Sequence, residues 1–393
     1  MLDVLIVGAG PAGAVAATVL ARGGARVRLV DRARFPRDKL CGDTVNPGTL
    51  AMLRRLGMAE RLDTLGLPID GMVVTVGDGV AVESRYPDGL QGRALVRREL
   101  DWTLLQQATA AGADFEPLTI VRRPVLDEDT RGGAGGVVGV VVDAQGSERT
   151  IHARVVIAAD GRRSTLAFGL GLARHPKRPR RWAIGAYFEN VSRMSTFGEM
   201  HVRSGCYIGV APIPGGLANV CLVKPSEGSD GTFRNPESLL RRELARDQAL
   251  GERFADARLV TPPVVLGPLA VDVANHATRG LLLAGDAAGV IDPMTGDGLR
   301  FAVRGGELAA RAALRALDRG WDGIHEQLAR ERQREFATKW RFNRTLRALV
   351  SSRTAVRVGE AVASIAPSAL RAVVRRASDC ALAKKGPYAF FAP

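Results

Sequence analysis

The chain has 393 residues, 46% hydrophobic and 24% charged, with a formal net charge of +14. This composition supplies ample apolar mass for one large core or two smaller ones and excludes a wholly disordered chain. The charge does not mark a nucleic-acid binder: six lysines against 49 arginines, with abundant Ala and Gly, reflect codon bias. Any functional share of the excess would serve an anionic partner: a nucleotide cofactor, an acidic carrier protein or a lipid head group.

Residues 3–7 are a short continuous apolar run, as in a buried parallel strand. A glycine-rich turn follows, then an Ala/Val/Leu-rich helix over 14–22, stopped by Gly23-Gly24. A second strand, Val27 to Val30, ends at Asp31, which completes a βαβ unit. The stretch 72–83 reads as a strand, and 98–111 as a helix with Leu100, Leu104, Leu105 and Ala108 on one face. Residues 131–136 read as a loose turn between strands, and 155–159 as a buried strand ending in Asp160-Gly161. From about 170 to 265 the texture changes: strands at 182–189, 206–213 and 217–223 predict an antiparallel second layer. Residues 281–284 return to a buried strand ending in Gly285-Asp286, and helices are expected over 298–316, 324–350 and 351–385.

Cys41, Cys206, Cys221 and Cys380 are scattered, with no CxxC and no clustered His. Neither a disulfide framework nor a metal site is expected, and a reducing cytoplasm fits. The first residues show no basic segment or cleavage site of a signal peptide, and no uncharged apolar run reaches the roughly 18 residues of a bilayer span. The expectation is a soluble cytoplasmic protein, at most peripheral to a membrane.

The turn after the first strand is Gly8-Ala9-Gly10-Pro11-Ala12-Gly13. In GxGxxG the first glycine makes a tight turn, the second admits a pyrophosphate close to the backbone, and the third lets helix and strand pack. The pyrophosphate then sits on a helix N-terminus, where free N–H groups favour negative charge. Asp31, followed by Arg32, stands where an acid accepts hydrogen bonds from an adenosine ribose. Such an acid suits FAD or NAD and argues against a 2′-phosphate.

Asp160-Gly161-Arg162-Arg163-Ser164 and Gly285-Asp286-Ala287-Ala288-Gly289 each follow a strand, and Arg97 opens an RxxLDxxL helix. With these motifs the chain resembles, over about residues 1–315, the flavoproteins that share the para-hydroxybenzoate hydroxylase fold. The resemblance implies bound FAD, with Asp286 on the ribityl chain, Asp160 and Gly161 supporting the cofactor side, and Arg97 in contact with it. Beyond Asp286, the backbone around Pro293, Gly296, Gly298 and Leu299 would approach the flavin, and a helix starting near Gly298 would favour negative charge on the reduced ring. The stretch Phe35–Asp43, with Arg37, Lys39, Cys41 and Gly42, looks most like the geranylgeranyl-reductase-like branch. Arg37 and Lys39 would hold cofactor phosphate or belong to a solvated loop.

The implied fold is α/β. A Rossmann-type FAD-binding domain with a parallel sheet takes residues 1–70, 95–168 and 266–345. An inserted antiparallel-sheet substrate-binding domain takes 71–94 and 169–265, and a C-terminal helical segment takes 346–393. The implied activity is an FAD-dependent oxidoreductase that takes electrons from transiently bound NAD(P)H, since no second Rossmann motif exists. The first reading is a monooxygenase that hydroxylates or epoxidises a small apolar phenolic, polyketide or prenyl substrate through a flavin C4a-hydroperoxide. The alternatives are a prenyl C=C reductase and an FAD-binding partner without turnover of its own. The reductases' aromatic YxWxFP stretch is here Cys206-Tyr207-Ile208-Gly209-Val210-Ala211-Pro212, and the halogenases' WxWxIP is absent, which argues against halogenation.

No catalytic set stands out. Tyr207 and Tyr187 are pocket candidates or packing residues, Cys41 is a thiol near the flavin or a small hydrophobe, and His201 reads as structural. Between Lys339 and Ser378 lie nine basic residues and one acid, Glu360, interleaved with Leu, Val and Ala. This amphipathic region would meet a membrane surface or an acidic carrier, or present a solvated face. The tail Tyr388–Phe391 would plug a pocket or finish the fold.

Overall fold

In a computed structural model of the chain, which describes residues 2–77, 80–127, 135–177, 180–274 and 278–384, the N-terminal apolar run becomes an inner strand of a seven-stranded sheet. Leu2–Val7 pairs in parallel with Val27–Val30 on one side and Ser147–Ala158 on the other. Val4, Leu5 and Ile6 are fully buried, as a strand covered on both faces requires. Ser147–Ala158 changes character along its length. Its exposed first half pairs antiparallel with Val137–Ala144, and its apolar end pairs in parallel with Leu281–Leu283.

One face of this sheet carries the helix Pro11–Arg22, which packs on Gly298–Arg319 and Arg97–Ala110. Small residues set the spacing: Ala12, Ala16, Ala17, Ala309, Ala310, Ala313 and Ala316 share this core. A Cβ at Gly306 would overlap the carbonyl oxygen of Ala12. Leu100, Leu104, Leu105 and Ala108 are buried, as the helical period predicts.

The second sheet runs Arg258–Leu259, Arg181–Glu189, Leu217–Pro225, Cys206–Ile213, Phe197–Arg203, Gly71–Val76, Val80–Arg85, with Val264–Leu266 also on Arg181–Glu189. Every pair is antiparallel except Phe197–Arg203 with Gly71–Val76. The alternation of side chains divides its faces. Ile184, Ala186, Phe188, Val220 and Leu222 pack under the helix Pro236–Arg246 through Leu239, Leu240 and Leu244. Ala183, Tyr207 and Val223 face the opposite way.

Two expectations need correction. The stretch 72–83 is not one strand: Gly71–Val76 ends at Gly77, whose φ of +64 suits a turn, and the chain returns as Val80–Arg85. The helical stretch 351–385 breaks at Ala366-Pro367 and again after Ala377, giving Arg353–Ile365, Pro367–Ala377 and Cys380–Lys384. A proline is tolerated at the first turn of a helix but not inside one. Residues 131–134 of the expected turn and the tail 388–391 lie outside the described residues. No described helix is long and apolar enough to cross a membrane.

Candidate functional site: a cofactor cleft continued by an apolar channel

A single cavity of about 2330 Å³ runs from the ends of the parallel strands, across the open face of the second sheet, to the C-terminal helices. A drug-sized ligand site spans about 300–1,000 Å³, so there is room here for a long cofactor and a second molecule.

The first end is built by the glycine turn. Gly8 has φ +100, and a Cβ there would come within 2.5 Å of the Ala159 carbonyl oxygen. A Cβ at Gly13 would overlap the Gly8 carbonyl oxygen. Gly10 differs: a Cβ there would meet only Arg37 Nη2, at 3.6 Å, so its missing side chain leaves open space in the cavity. Gly10 is also the N-cap of Pro11–Arg22 and offers no side chain to the first turn, which leaves the helix N-terminus to a ligand. Asp31 accepts the N–H of Ala9 at 2.8 Å and of Ala33 at 2.8 Å, so its carboxylate also pins the turn to the second strand.

Arg32, Arg37, Cys41, Gly42, Asp160, Gly161, Gly285 and Asp286 stand on the same wall, as do Gly8, Gly10, Pro11, Ala12 and Arg97. Of the cofactor positions expected from the sequence, Gly13 alone is off it, turned into the helix–strand contact. Asp160 Oδ2 accepts the N–H of Thr165 at 2.8 Å, while its buried Oδ1 has no partner among the described residues. Pro293, Gly296, Gly298 and Leu299 line the next stretch, where Gly298–Arg319 presents its N-terminus.

These features fit FAD. An uncapped helix N-terminus with an open glycine beside it suits a pyrophosphate, and Asp31, Asp160 and Asp286 supply acceptors along the wall for ribose and ribityl hydroxyls. A second helix N-terminus at Gly298 suits the electron-rich end of a flavin.

Arg97 does not reach freely into the cavity. It is buried and clamps Asp101 one turn on, with Nε–Oδ1 at 2.7 Å and Nη2–Oδ2 at 2.8 Å. Burial opposes its charge, but the Asp101 carboxylate and Cys41 beside it outweigh burial and raise its pKa. Arg37 Nη1 adds to the same carboxylate at 3.1 Å. The RxxLD spacing thus builds an internal ion pair behind the cofactor wall.

Two residues that sequence reasoning missed sit between Arg97 and the substrate side. Asp43 is buried with φ +50 and accepts three hydrogen bonds: from the Tyr187 hydroxyl at 2.7 Å, Asn219 Nδ2 at 2.6 Å and the Arg97 N–H at 3.2 Å. Burial pushes its carboxyl from 3.8 up to about 6, against the pull of Tyr187 and Asn219. Burial, then the nearby Asp43, raises the Tyr187 phenol well above its ordinary value. Asn219 Nδ2 also donates to the Cys41 carbonyl at 2.9 Å. Asp43 closes the Phe35–Asp43 stretch, directly after Gly42, which was its one visible signal.

The other candidates separate. Tyr187 and Cys41 are half-buried on the cavity wall, Cys41 beside Arg97. Tyr207 also lines the cavity, but its hydroxyl is committed to Asp292 Oδ1 at 2.7 Å, and Asp292 in turn pairs with Arg181 at 3.2 Å. His201 is buried on the far face, between Glu199 and Thr75 at 2.9 Å each, as a structural residue. Among the described residues no cluster of three or more His, Cys, Asp or Glu could hold a metal ion.

Beyond Tyr187 the cavity turns apolar. Met72, Val74, Val76, Met200 and Val202 of the second sheet face Val356, Leu370 and Val374 of the two helices after Ser352.

Comparison with known proteins agrees with this geometry. Residues 1–339 match the family model described as FAD binding domain. A menaquinone reductase of Mycolicibacterium smegmatis is 32% identical over 332 residues, covering 78% of this chain and 75% of that protein. A digeranylgeranylglycerophospholipid reductase of Methanopyrus kandleri is 32% identical over 324 residues, covering 80% and 78%. A triple mutant of a flavin-dependent brominase superposes with a TM-score of 0.82 over 97% of this chain and 95% of its own, at 20% identity, a likeness of fold. With its dinucleotide turn, a second helix N-terminus on the cavity wall at Gly298 and these relatives, the chain belongs to the FAD-binding-domain family and is an FAD-dependent oxidoreductase.

Proposed function

We propose that the protein is a reductase that saturates carbon–carbon double bonds of an isoprenoid chain, with NAD(P)H as the transient source of electrons. The observation that carries this reading is the apolar channel between Met72, Val74, Val76, Met200 and Val202 on the sheet and Val356, Leu370 and Val374 on the helices, open at its inner end to the cofactor wall. Lined over that stretch by valine, leucine and methionine, it suits a prenyl chain better than a compact phenol. Relatives named menaquinone reductase and digeranylgeranylglycerophospholipid reductase support reduction over oxygenation.

Bound FAD supplies two-electron reduction at the inner end of the channel. The chain's own residues orient the prenyl segment, exclude water from it and hold a proton. That proton lies between Tyr187 Oη and Asp43 Oδ2, 2.7 Å apart, with Tyr187 on the cavity wall and Asp43 buried behind it. Tyr187 would give it to one carbon of the double bond while a hydride, the electron pair with the other hydrogen, reaches the neighbouring carbon, and a proton taken up from water once the product has left restores the phenol.

The test is anaerobic incubation of the FAD-loaded protein with NADPH or NADH and a geranylgeranyl lipid, read by mass. A gain of two hydrogens per double bond supports the reading. Turnover that requires oxygen and leaves one oxygen atom in the product overturns it in favour of a monooxygenase. One observation favours that second reading: Cys206–Ile213, which lines the cavity through Tyr207, Gly209 and Ala211, carries neither the Trp nor the Phe of the reductase pattern. FAD reduction with no turnover of any acceptor would leave a flavin-binding partner.

A further inference from the structure

Helix Arg353–Ile365 has two apolar stripes. The inner one, Val356, Gly359 and Ala363, closes the channel against the sheet, with Val356 and Ala363 buried. The outer one, Val358, Val362 and Ile365, follows the same helical spacing and points away from every core. Val358 is 57% exposed, Val362 44% and Ile365 85%. Ile365 is the last residue of its helix and stands at the tip of the hairpin made with Pro367–Ala377. Leu349, at the end of the preceding helix, is 47% exposed.

Two further observations define the patch. Leu349, Val358 and Val362 are exposed and are also part of the cavity wall, so the apolar channel opens to the outside where they stand. The same two helices carry Arg353, Arg357, Arg371, Arg375 and Arg376, all exposed. Glu360, the one acid between Lys339 and Ser378, packs against Gly77.

We infer that this hairpin docks on the surface of an anionic lipid bilayer, with Ile365 and the outer stripe in the acyl boundary and the arginines among the head groups, so that the channel mouth opens into the lipid. The charge is complementary to an anionic leaflet, and basic residues around an apolar face are what an interfacial helix needs. An acidic protein carrier would be met by the arginines alone and would give no use to a bare isoleucine at the tip. Membrane docking rests on the proposed prenyl substrate for its purpose, since such a chain resides in the bilayer and would pass into the channel without crossing water.

The test is flotation of the full, FAD-loaded chain with vesicles of phosphatidylcholine alone or mixed with phosphatidylglycerol. Binding is expected to the mixed vesicles and to weaken with salt. Replacing Arg353, Arg357 and Arg375 by Gln is expected to lower partitioning roughly a hundredfold. Ile365→Glu is expected to lower it as well, with FAD content and thermal unfolding unchanged, because Ile365 touches neither the cofactor wall nor the core. Absence of binding to either vesicle overturns the inference. Binding that survives Ile365→Glu and follows the arginines alone also overturns it and points to an acidic protein surface. Flotation needs no turnover, so docking without prenyl reduction would retire the proposed reaction and leave the docking face standing.

Discussion

Lys339 Nζ lies 3.0 Å from Asp297 Oδ1, inside the protein, where both side chains are almost fully enclosed. Asp297 is the N-cap of Gly298–Arg319, whose first residues line the cavity, and Lys339 belongs to the long helix Ile324–Ser351 that leads into the channel hairpin. The same ammonium reaches Asp379 at 3.2 Å and the carbonyls of Arg376 and Ala377 at 2.7 Å each. Together with Arg300, which reaches Asp379 at 3.3 Å, this cation ties the N-terminus of Gly298–Arg319 to the end of the C-terminal segment. Lys339→Met removes the cation from the buried Asp297 carboxylate and leaves Asp379 to Arg300 at 3.3 Å, and a cost of about 3 kcal/mol is expected, read as a lower denaturant midpoint.

Asp43 makes stability depend on pH. Its carboxyl titrates at about 6 in the folded protein against 3.8 ordinarily, so the folded state keeps a proton that the unfolded chain would release. The stability from this group is fully present below 3.8 and is lost as pH rises through about 6. The loss is on the order of 3 kcal/mol. Denaturation midpoints across that window should fall with rising pH in the natural protein, and that slope should flatten in Asp43→Asn.

The two tyrosines should separate activity from stability. Tyr207→Phe removes a buried hydrogen bond to a charged group and should cost about 2 kcal/mol while leaving turnover close to normal. Tyr187→Phe removes the half-buried donor on the channel wall. Its turnover should fall by roughly 10²-fold or more, while FAD content stays unchanged. Removing that hydrogen bond, which lowers the Asp43 pKa, should also shift the pH profile upward. Normal turnover in Tyr187→Phe would take this residue out of the chemistry.

The glycine turn offers a similar separation. Gly10→Ala adds a methyl whose nearest neighbour is the end of the flexible Arg37 side chain at 3.6 Å. The apoprotein should fold as before, and the flavin absorbance of the purified protein should drop, because the methyl takes the space where a pyrophosphate comes closest. Gly13→Ala drives a methyl into the Gly8 carbonyl oxygen, and soluble yield should fall along with flavin.

What was legible in the sequence was what the backbone itself demands. Val4, Leu5 and Ile6 are apolar because both faces of their strand are covered, and Gly8 and Gly13 are glycines because a Cβ would collide. The strand Phe197–Arg203 was missed because its buried positions are partly polar. Glu199 and His201 point into the protein, Glu199 paired with Arg253 and His201 hydrogen-bonded to Thr75 and Glu199, so the alternation is inverted. Asn219 was missed for another reason. It stands directly across from Tyr187 in the strand register, and that register brings both to Asp43. Nothing in the local sequence announces a partner set by pairing between two strands.

The strand Gly71–Val76 has one neighbour close in the chain, Val80–Arg85, and another, Phe197–Arg203, that comes more than a hundred residues later. During synthesis this hairpin therefore leaves the ribosome with one open edge and waits for its partner. The cofactor sheet waits as well, since Leu2–Val7 needs Ser147–Ala158, which in turn receives Leu281–Leu283. Chains cut short before residue 203 would expose a row of unpaired amides and the methionine and valine side chains of the future channel. Such fragments should aggregate, and the nascent chain is a natural client for a chaperone until that strand has emerged.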